Sequence, residues 1–134
     1  MANPQMVILE GDGSFEIEVV GESRYHANLA SIAGRGHEDG VDVMKTAYLV
    51  PEPKNPNDSN AVRVDSDEKK VGYLRRELAA VVSPALRRAK VVGIQAQARI
   101  TAGFDGGSYS VWIDGDIDEL LAFLSKAKPG WRFW

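Results

Sequence analysis

A small β-barrel, mainly β with short helices, is the fold this sequence predicts, and three observations predict it. About six short strand-like runs follow one another, turn residues separate them at close spacing, and the helical stretches between them are brief. A sandwich or an α/β sheet suits that pattern less well. A helix near the C-terminal end completes the expected architecture.

Residues 15–19 alternate Phe15, Ile17 and Val19 with Glu16 and Glu18. That period of two marks a half-buried strand ending at Gly21, with its acidic face toward water. Residues 28–33 have the composition of a short helix. Leu29 and Ile32 share a face, and Gly34 is a natural stop. After an exposed loop over residues 34–40, residues 41–50 read as a strand. Val41, Val43, Lys45, Ala47 and Leu49 lie on one face, and Met44, Thr46, Tyr48 and Val50 on the other. Two largely apolar faces suit a closed or covered sheet.

Pro51, Pro53 and Pro56 are expected to stop ladder pairing. Residues 61–64 and 70–73 form the next two strands, with Asp65, Ser66 and Asp67 as the hairpin tip. Helix is expected from Leu74. Pro84 lacks a hydrogen-bond donor and crowds the preceding turn, so it should divide the segment into two helices, with Ser83 capping the second. Gly93 resets the chain into a strand over residues 94–102, and residues 104–107 turn it into another over residues 109–113. Asp116 with Glu119 resembles a capping box. Ile117, Leu120, Leu121 and Leu124 then mark the apolar face of a helix ended by Pro129 and Gly130.

The domain expectation is an N-terminal segment over residues 1–14, a barrel over 15–113, and a helix with an aromatic tail over 114–134 packed on the barrel. Trp131, Phe133 and Trp134 stand in the last four residues. Folding back onto the barrel or the last helix is the expectation for them, since exposed aromatic clusters threaten solubility; docking of a partner or a nucleobase is the alternative.

The 134 residues suit one domain with a modest core. Without cysteine there are no disulfides, thiolate metal sites or thiol nucleophile. No stretch approaches the ~20 apolar residues that span a bilayer, and no leader pattern opens the chain. A cytoplasmic protein without a membrane partner is the expectation. The net charge of −3 argues mildly against a general nucleic-acid binder. It is unevenly spread: −6 over residues 1–60, +5 over 61–100 and −2 thereafter. The basic middle either focuses a local positive field or is a set of scattered solvating charges.

Catalytic signals are thin. His26 and His37 lie outside any metal-ligand pattern, no serine sits in a nucleophile elbow, and the glycine-rich stretches lack phosphate-binding spacing. The expectation is therefore no catalytic residue, no metal and no cofactor. The acids of residues 114–119 fit a helix N-terminus better than a calcium loop.

The loop from Asn55 to Asn60 differs from these. Asp58 offers a carboxylate acceptor and Asn55 an amide, with Arg75 or Arg76 at the start of the following helix. Such groups can grip a hydroxyl and a neighbouring phosphate, and Tyr25 or Tyr73 can stack a base. The alternative is that Asp58 or Asn60 only closes a turn on its own backbone before the next strand.

Three blocks then resemble the HIRAN domain family: Val20-Gly21-Glu22-Ser23-Arg24-Tyr25; Pro51-Glu52-Pro53-Lys54-Asn55-Pro56-Asn57-Asp58-Ser59-Asn60-Ala61-Val62; and Val71-Gly72-Tyr73-Leu74-Arg75-Arg76-Glu77-Leu78-Ala79. They come in the family's order and spacing, over about residues 15–113. The chain looks like a stand-alone, bacterial-type member. The resemblance implies a modified OB-like barrel that binds single-stranded DNA, its 3′-hydroxyl end included, in repair or replication; RNA is not distinguished. It implies that Asp58 accepts from the terminal 3′-hydroxyl, that Asn55 is the loop asparagine, that Arg76 lies near the DNA backbone, and that Tyr73 lines the pocket. Arg24 or Tyr25 matches the polar-aromatic pair of the first block. Lys54 is a further phosphate contact in the same reading. Asn57 departs from the pattern, because end-binding members often carry an aromatic there, and losing it removes stacking of about 1–3 kcal/mol per base. A second hypothesis is a non-catalytic adaptor that recruits a helicase or nuclease as partner.

Overall fold

The alternating runs close on themselves. The computed structural model describes residues 6–34, 40–103 and 108–126. In chain order these are β1 (Met6–Ile8), β2 (Ile17–Val20), a 3₁₀ turn (Glu22–Tyr25), α1 (His26–Ala33), β3 (Val41–Pro51), β4 (Val62–Ser66), β5 (Lys69–Leu74), α2 (Arg76–Ala89), β6 (Gly93–Ala102), β7 (Tyr109–Ile113) and α3 (Ile117–Ser125). The strands follow the order β6-β3-β4-β5-β2-β7, every neighbour antiparallel, and β7 returns to β6 from Ala98↔Ile113 to Ala102↔Tyr109. Six strands therefore make a closed barrel, which leaves them no open edge.

β1 is an extra strand, absent from the pattern read in the sequence. It runs parallel to the start of β6, with Met6↔Gly93 and Ile8↔Gln95. Gly93 leaves room on both sides: a Cβ there would lie 2.5 Å from the Leu49 carbonyl oxygen of β3 and 3.0 Å from the Met6 sulfur of β1.

Inward side chains of the strands form one core with the helices. Ile17, Val19, Leu49, Val62, Val64, Val71, Ile94, Ile100 and Ile113 are buried together with Leu29 of α1, Val82 and Leu86 of α2, and Leu120 of α3. Each such burial is worth about 1.5–3 kcal/mol. The cap on α3 follows the sequence pattern, the Asp116 carboxylate accepting from the Glu119 N–H at 2.7 Å.

Four local expectations are corrected. The β4–β5 tip is Asp67-Glu68, both with positive φ, while Asp65 and Ser66 stay in β4; a two-residue turn of that hand matches strand twist better than a longer tip. Buried Ser66 donates its hydroxyl to the Thr46 carbonyl at 2.9 Å. Leu74 ends β5 rather than starting a helix. Pro84 lies inside one continuous α2, and Ser83 is a buried helix residue, not a cap. The apolar face of α2, Leu78, Val82, Ala85, Leu86 and Ala89, is buried along its whole length, which outweighs the one hydrogen bond lost; Ala80, whose carbonyl loses its partner, is exposed to water. Pro51 joins the ladder opposite Val62, but at the strand end, where its missing N–H interrupts no further pairing.

The turn at residues 104–107, His37, Pro129, Gly130 and the tail with Trp131, Phe133 and Trp134 lie outside the described residues. No described helix is long and apolar enough to cross a membrane.

Candidate functional site

Residues 52–61 leave the end of β3, loop out, and return to β4. Their shape is set by side chains bonding their own backbone. The Asn55 side-chain Oδ1 accepts from the N–H groups of Asn57 and Asp58 at 2.9 and 3.2 Å, and the Asp58 carboxylate accepts from the Asn60 N–H at 2.9 Å. The turn-closing role weighed for this loop is thus filled by Asn55 and Asp58. The Asn55 amide nitrogen has a further use, donating to Glu52 Oε1 at 3.0 Å. At the loop's base, the Glu52 N–H donates to the Ala61 carbonyl at 2.8 Å.

α2 braces the loop from outside. Arg76 Nε lies 3.6 Å from Asp58 Oδ2, and Arg76 Nη2 donates to the Asn57 carbonyl at 3.3 Å. Arg87 Nη2 reaches Asn60 Oδ1 at 3.4 Å. The Arg76 side chain is 73% exposed, so its charge remains available to a ligand.

Below the loop, Glu52 is a hub. Oε1 accepts from the Tyr73 hydroxyl at 2.8 Å as well as from Asn55; Oε2 accepts from Arg63 Nη1 at 3.3 Å and lies 3.6 Å from the Lys70 ammonium. Burial works to raise the Glu52 carboxyl, but the Asn55 and Tyr73 donors and the Lys70 and Arg63 charges outweigh it and hold the group below its ordinary 4.5. The Tyr73 hydrogen bond, supported by the Glu52 charge, holds Lys70 above its ordinary value. Burial, with Glu52 beside it, raises Tyr73.

A bulge makes the hub possible. Arg63 pairs with Tyr73 and Val64 with Gly72, yet Asp65 pairs with Lys70, so Val71 is an extra residue in β5. Residues three apart on a regular strand face opposite ways; the added residue turns Lys70 and Tyr73 to the same side. The ammonium then lies 3.0 Å from the Tyr73 hydroxyl, 5.2 Å from the Tyr73 ring centroid and 5.8 Å from that of Tyr25.

These groups border an open groove of about 570 Å³, whose walls include Lys54, Asn55, Asn57, Arg63, Lys70 and Tyr73. Of the residues singled out in the sequence, Lys54, Asn55 and Tyr73 stand on its wall. Asp58 and Arg76 do not line it; they pair with each other, and Arg76 reaches it only through the Asn57 carbonyl. Tyr25 reaches it through Lys70. Arg24 is exposed on the 3₁₀ turn, its N–H bonded to the Gly21 carbonyl at 3.1 Å. Glu52, Arg63 and Lys70 were not singled out as site residues. Gly72 inside a strand was the available hint of a bulge.

Elsewhere, carboxylate oxygens of Asp12, Asp116 and Glu119 lie within 4.8 Å of one another. Asp116 spends one oxygen on the α3 cap. Burial, then the neighbouring Asp12, Asp116 and Asp114 charges, raise Glu119.

A family model described as the HIRAN domain matches residues 12–102. No curated protein matches the chain. Two solved structures are similar to it, each 20% identical with a TM-score of 0.39. They are the crystal structure of the HIRAN domain of human HLTF, covering 90% of this chain and 93% of that one, and the NMR structure of the HLTF HIRAN domain in its DNA-bound conformation, covering 81% and 82%.

Proposed function

The chain belongs to the HIRAN domain family, and from that premise we propose that it is a non-catalytic nucleic-acid-binding module that holds single-stranded DNA in the groove between the residue 52–61 loop and strands β4 and β5. The observation that carries the reading is the convergence of Lys54, Asn55, Asn57 and Tyr73 on one open groove, with the exposed Arg76 bonded to the carbonyl of Asn57. Tyr73 supplies a face for a base, with Tyr25 beside it. Lys54, Arg76 and Arg24 supply cations for backbone phosphates. Asp58 keeps its second oxygen near Arg76, where a terminal 3′-hydroxyl would donate to it. Asn57 contributes hydrogen bonding in place of a stacking ring, so phosphate contacts supply a larger share of the affinity. A role at DNA ends in repair or replication follows from this reading.

The test is fluorescence anisotropy with oligonucleotides ending in a 3′-hydroxyl or a 3′-phosphate, over a salt series. Salt-dependent binding that prefers the hydroxyl supports the reading; undetectable binding of both ends overturns it.

A second reading, an adaptor for a helicase or nuclease, is favoured by a different surface. Met44, Arg99, Trp112 and Glu18 lie in one cross-strand row over β3, β6, β7 and β2. Met44 is 66% exposed, and Trp112 borders a groove of about 460 Å³ with Phe15 and Thr101. A stable protein partner in pull-down, lost in Trp112→Ala, together with no DNA affinity would select it.

A further inference from the structure

Four donors from three separate segments converge on the Glu52 carboxylate: the Asn55 amide from the loop, the Arg63 guanidinium from β4, and the Lys70 ammonium and Tyr73 hydroxyl from β5. They engage both oxygens, and a carboxylate offers about four acceptor positions in all. A guanidinium, an ammonium, a hydroxyl and an amide form the donor set that phosphate oxygens also seek. We propose that Glu52 is an internal anion occupying the phosphate position of the groove, and that it thereby determines which ligand groups the groove floor accepts.

The charges bear this out. Arg63 and Lys70 stand against Glu52 and Asp65, which takes Arg63 Nε at 2.9 Å. The floor is balanced, and a phosphate entering it would meet two carboxylates whose donors are already engaged. Attraction for a nucleic-acid backbone therefore comes from the rim, from Lys54 and Arg76, while bases, sugars and unphosphorylated ends occupy the floor. That biological consequence rests on the nucleic-acid reading above; the occupied anion position does not.

The first experiment needs no nucleic acid. Melting temperatures of the wild type, Glu52→Gln and Glu52→Gln/Lys70→Gln are measured in inorganic phosphate and in chloride at matched ionic strength. Glu52→Gln keeps the shape and an acceptor for Tyr73 but leaves Arg63 and Lys70 in excess. A phosphate-dependent rise in its melting temperature, absent from the wild type and abolished in the double variant, is the expected result. A Glu52→Gln response no larger than that of the wild type overturns the proposal.

The second experiment covers the case in which Glu52→Gln does not fold. Lys70→Gln and Arg76→Gln are compared for the slope of log affinity against log salt on single-stranded DNA. Arg76→Gln should lower the slope by about 0.7, and Lys70→Gln by less than half of that, since its charge is already spent on Glu52. Equal losses overturn the proposal. In folded Glu52→Gln, discrimination against a 3′-phosphate should shrink by about tenfold, the lower end of the scale of one charge-assisted hydrogen bond. A wild type that binds neither DNA end overturns the proposed function, and the melting comparison then decides the anion position by itself.

Discussion

Lys70 and Tyr73 are three residues apart on one strand, yet their side chains meet, ammonium nitrogen to hydroxyl oxygen, at 3.0 Å. Only the extra residue at Val71 permits this, and Gly72 beside it lets β5 close on β2. A Cβ at position 72 would lie 2.5 Å from Val19 Cγ1 and 2.7 Å from the Val20 carbonyl oxygen. Gly72→Ala is therefore expected to cost about 1–3 kcal/mol in urea unfolding, because backbone must move to admit one methyl.

The Tyr73 ring and hydroxyl have separable uses. Tyr73→Phe removes one donor from Glu52, with a stability loss of about 1 kcal/mol expected in chemical denaturation. Tyr73→Ala also removes the face offered to a base. Anisotropy should show it weakening single-stranded DNA binding by about 1–3 kcal/mol, with Tyr73→Phe losing less than half as much.

Acid should loosen the site before it unfolds the barrel. The folded-state pKa of Glu52 lies below 4.5, so its contribution to stability is fully present above about that pH and is lost as pH falls through the folded value. Urea midpoints measured from pH 7 down to pH 3 should fall more steeply for the wild type than for Glu52→Gln, which has no proton to take up there.

Arg76 and Asp58 lie 3.6 Å apart with the arginine largely in water, and such surface pairs contribute about 0–1 kcal/mol. Arg76→Gln should leave the unfolding midpoint nearly unchanged while weakening DNA binding at low salt. Parallel unfolding and anisotropy measurements separate the two effects.

Pro84 is carried by α2 at a cost. Pro84→Ala restores a donor for the Ala80 carbonyl and removes a ring from the helix interior, although the freed chain gains about 0.4–1 kcal/mol of unfolded-state entropy. A net stabilisation of about 1–2 kcal/mol is expected by thermal or urea unfolding.

Local periodicity carried much of the fold. The alternation in β2, β3 and β6 and the caps of α1 and α3 are properties of neighbouring residues, and the sequence displays them directly. Three residues of β1 are too few to show a period, and a parallel partner some 87 positions away, Met6 to Gly93, leaves no local trace. The continuity of α2 likewise depends on the barrel beneath it, which outweighs a proline that would break an isolated helix. At the site, the turn chemistry of Asp58 was legible because it bonds two residues on, to the Asn60 N–H, whereas Asn55, which closes the turn before it, read only as an amide for a ligand. Glu52 was not legible, because Arg63, Lys70 and Tyr73 reach it only after β3, β4 and β5 are assembled and a bulge has reversed the facing of one side chain.

The barrel's closure has a practical side. The stretch matched to the family, residues 12–102, contains β2 through β6 but neither β1 nor β7, and it stops before α3. β7 is the strand that joins β2 to β6. A fragment trimmed to the recognisable signature would thus be an open sheet with two raw edges, prone to pair with its own copies in the test tube. The segment by which this protein is recognised is shorter than the barrel it belongs to, which closes only through Tyr109–Ile113.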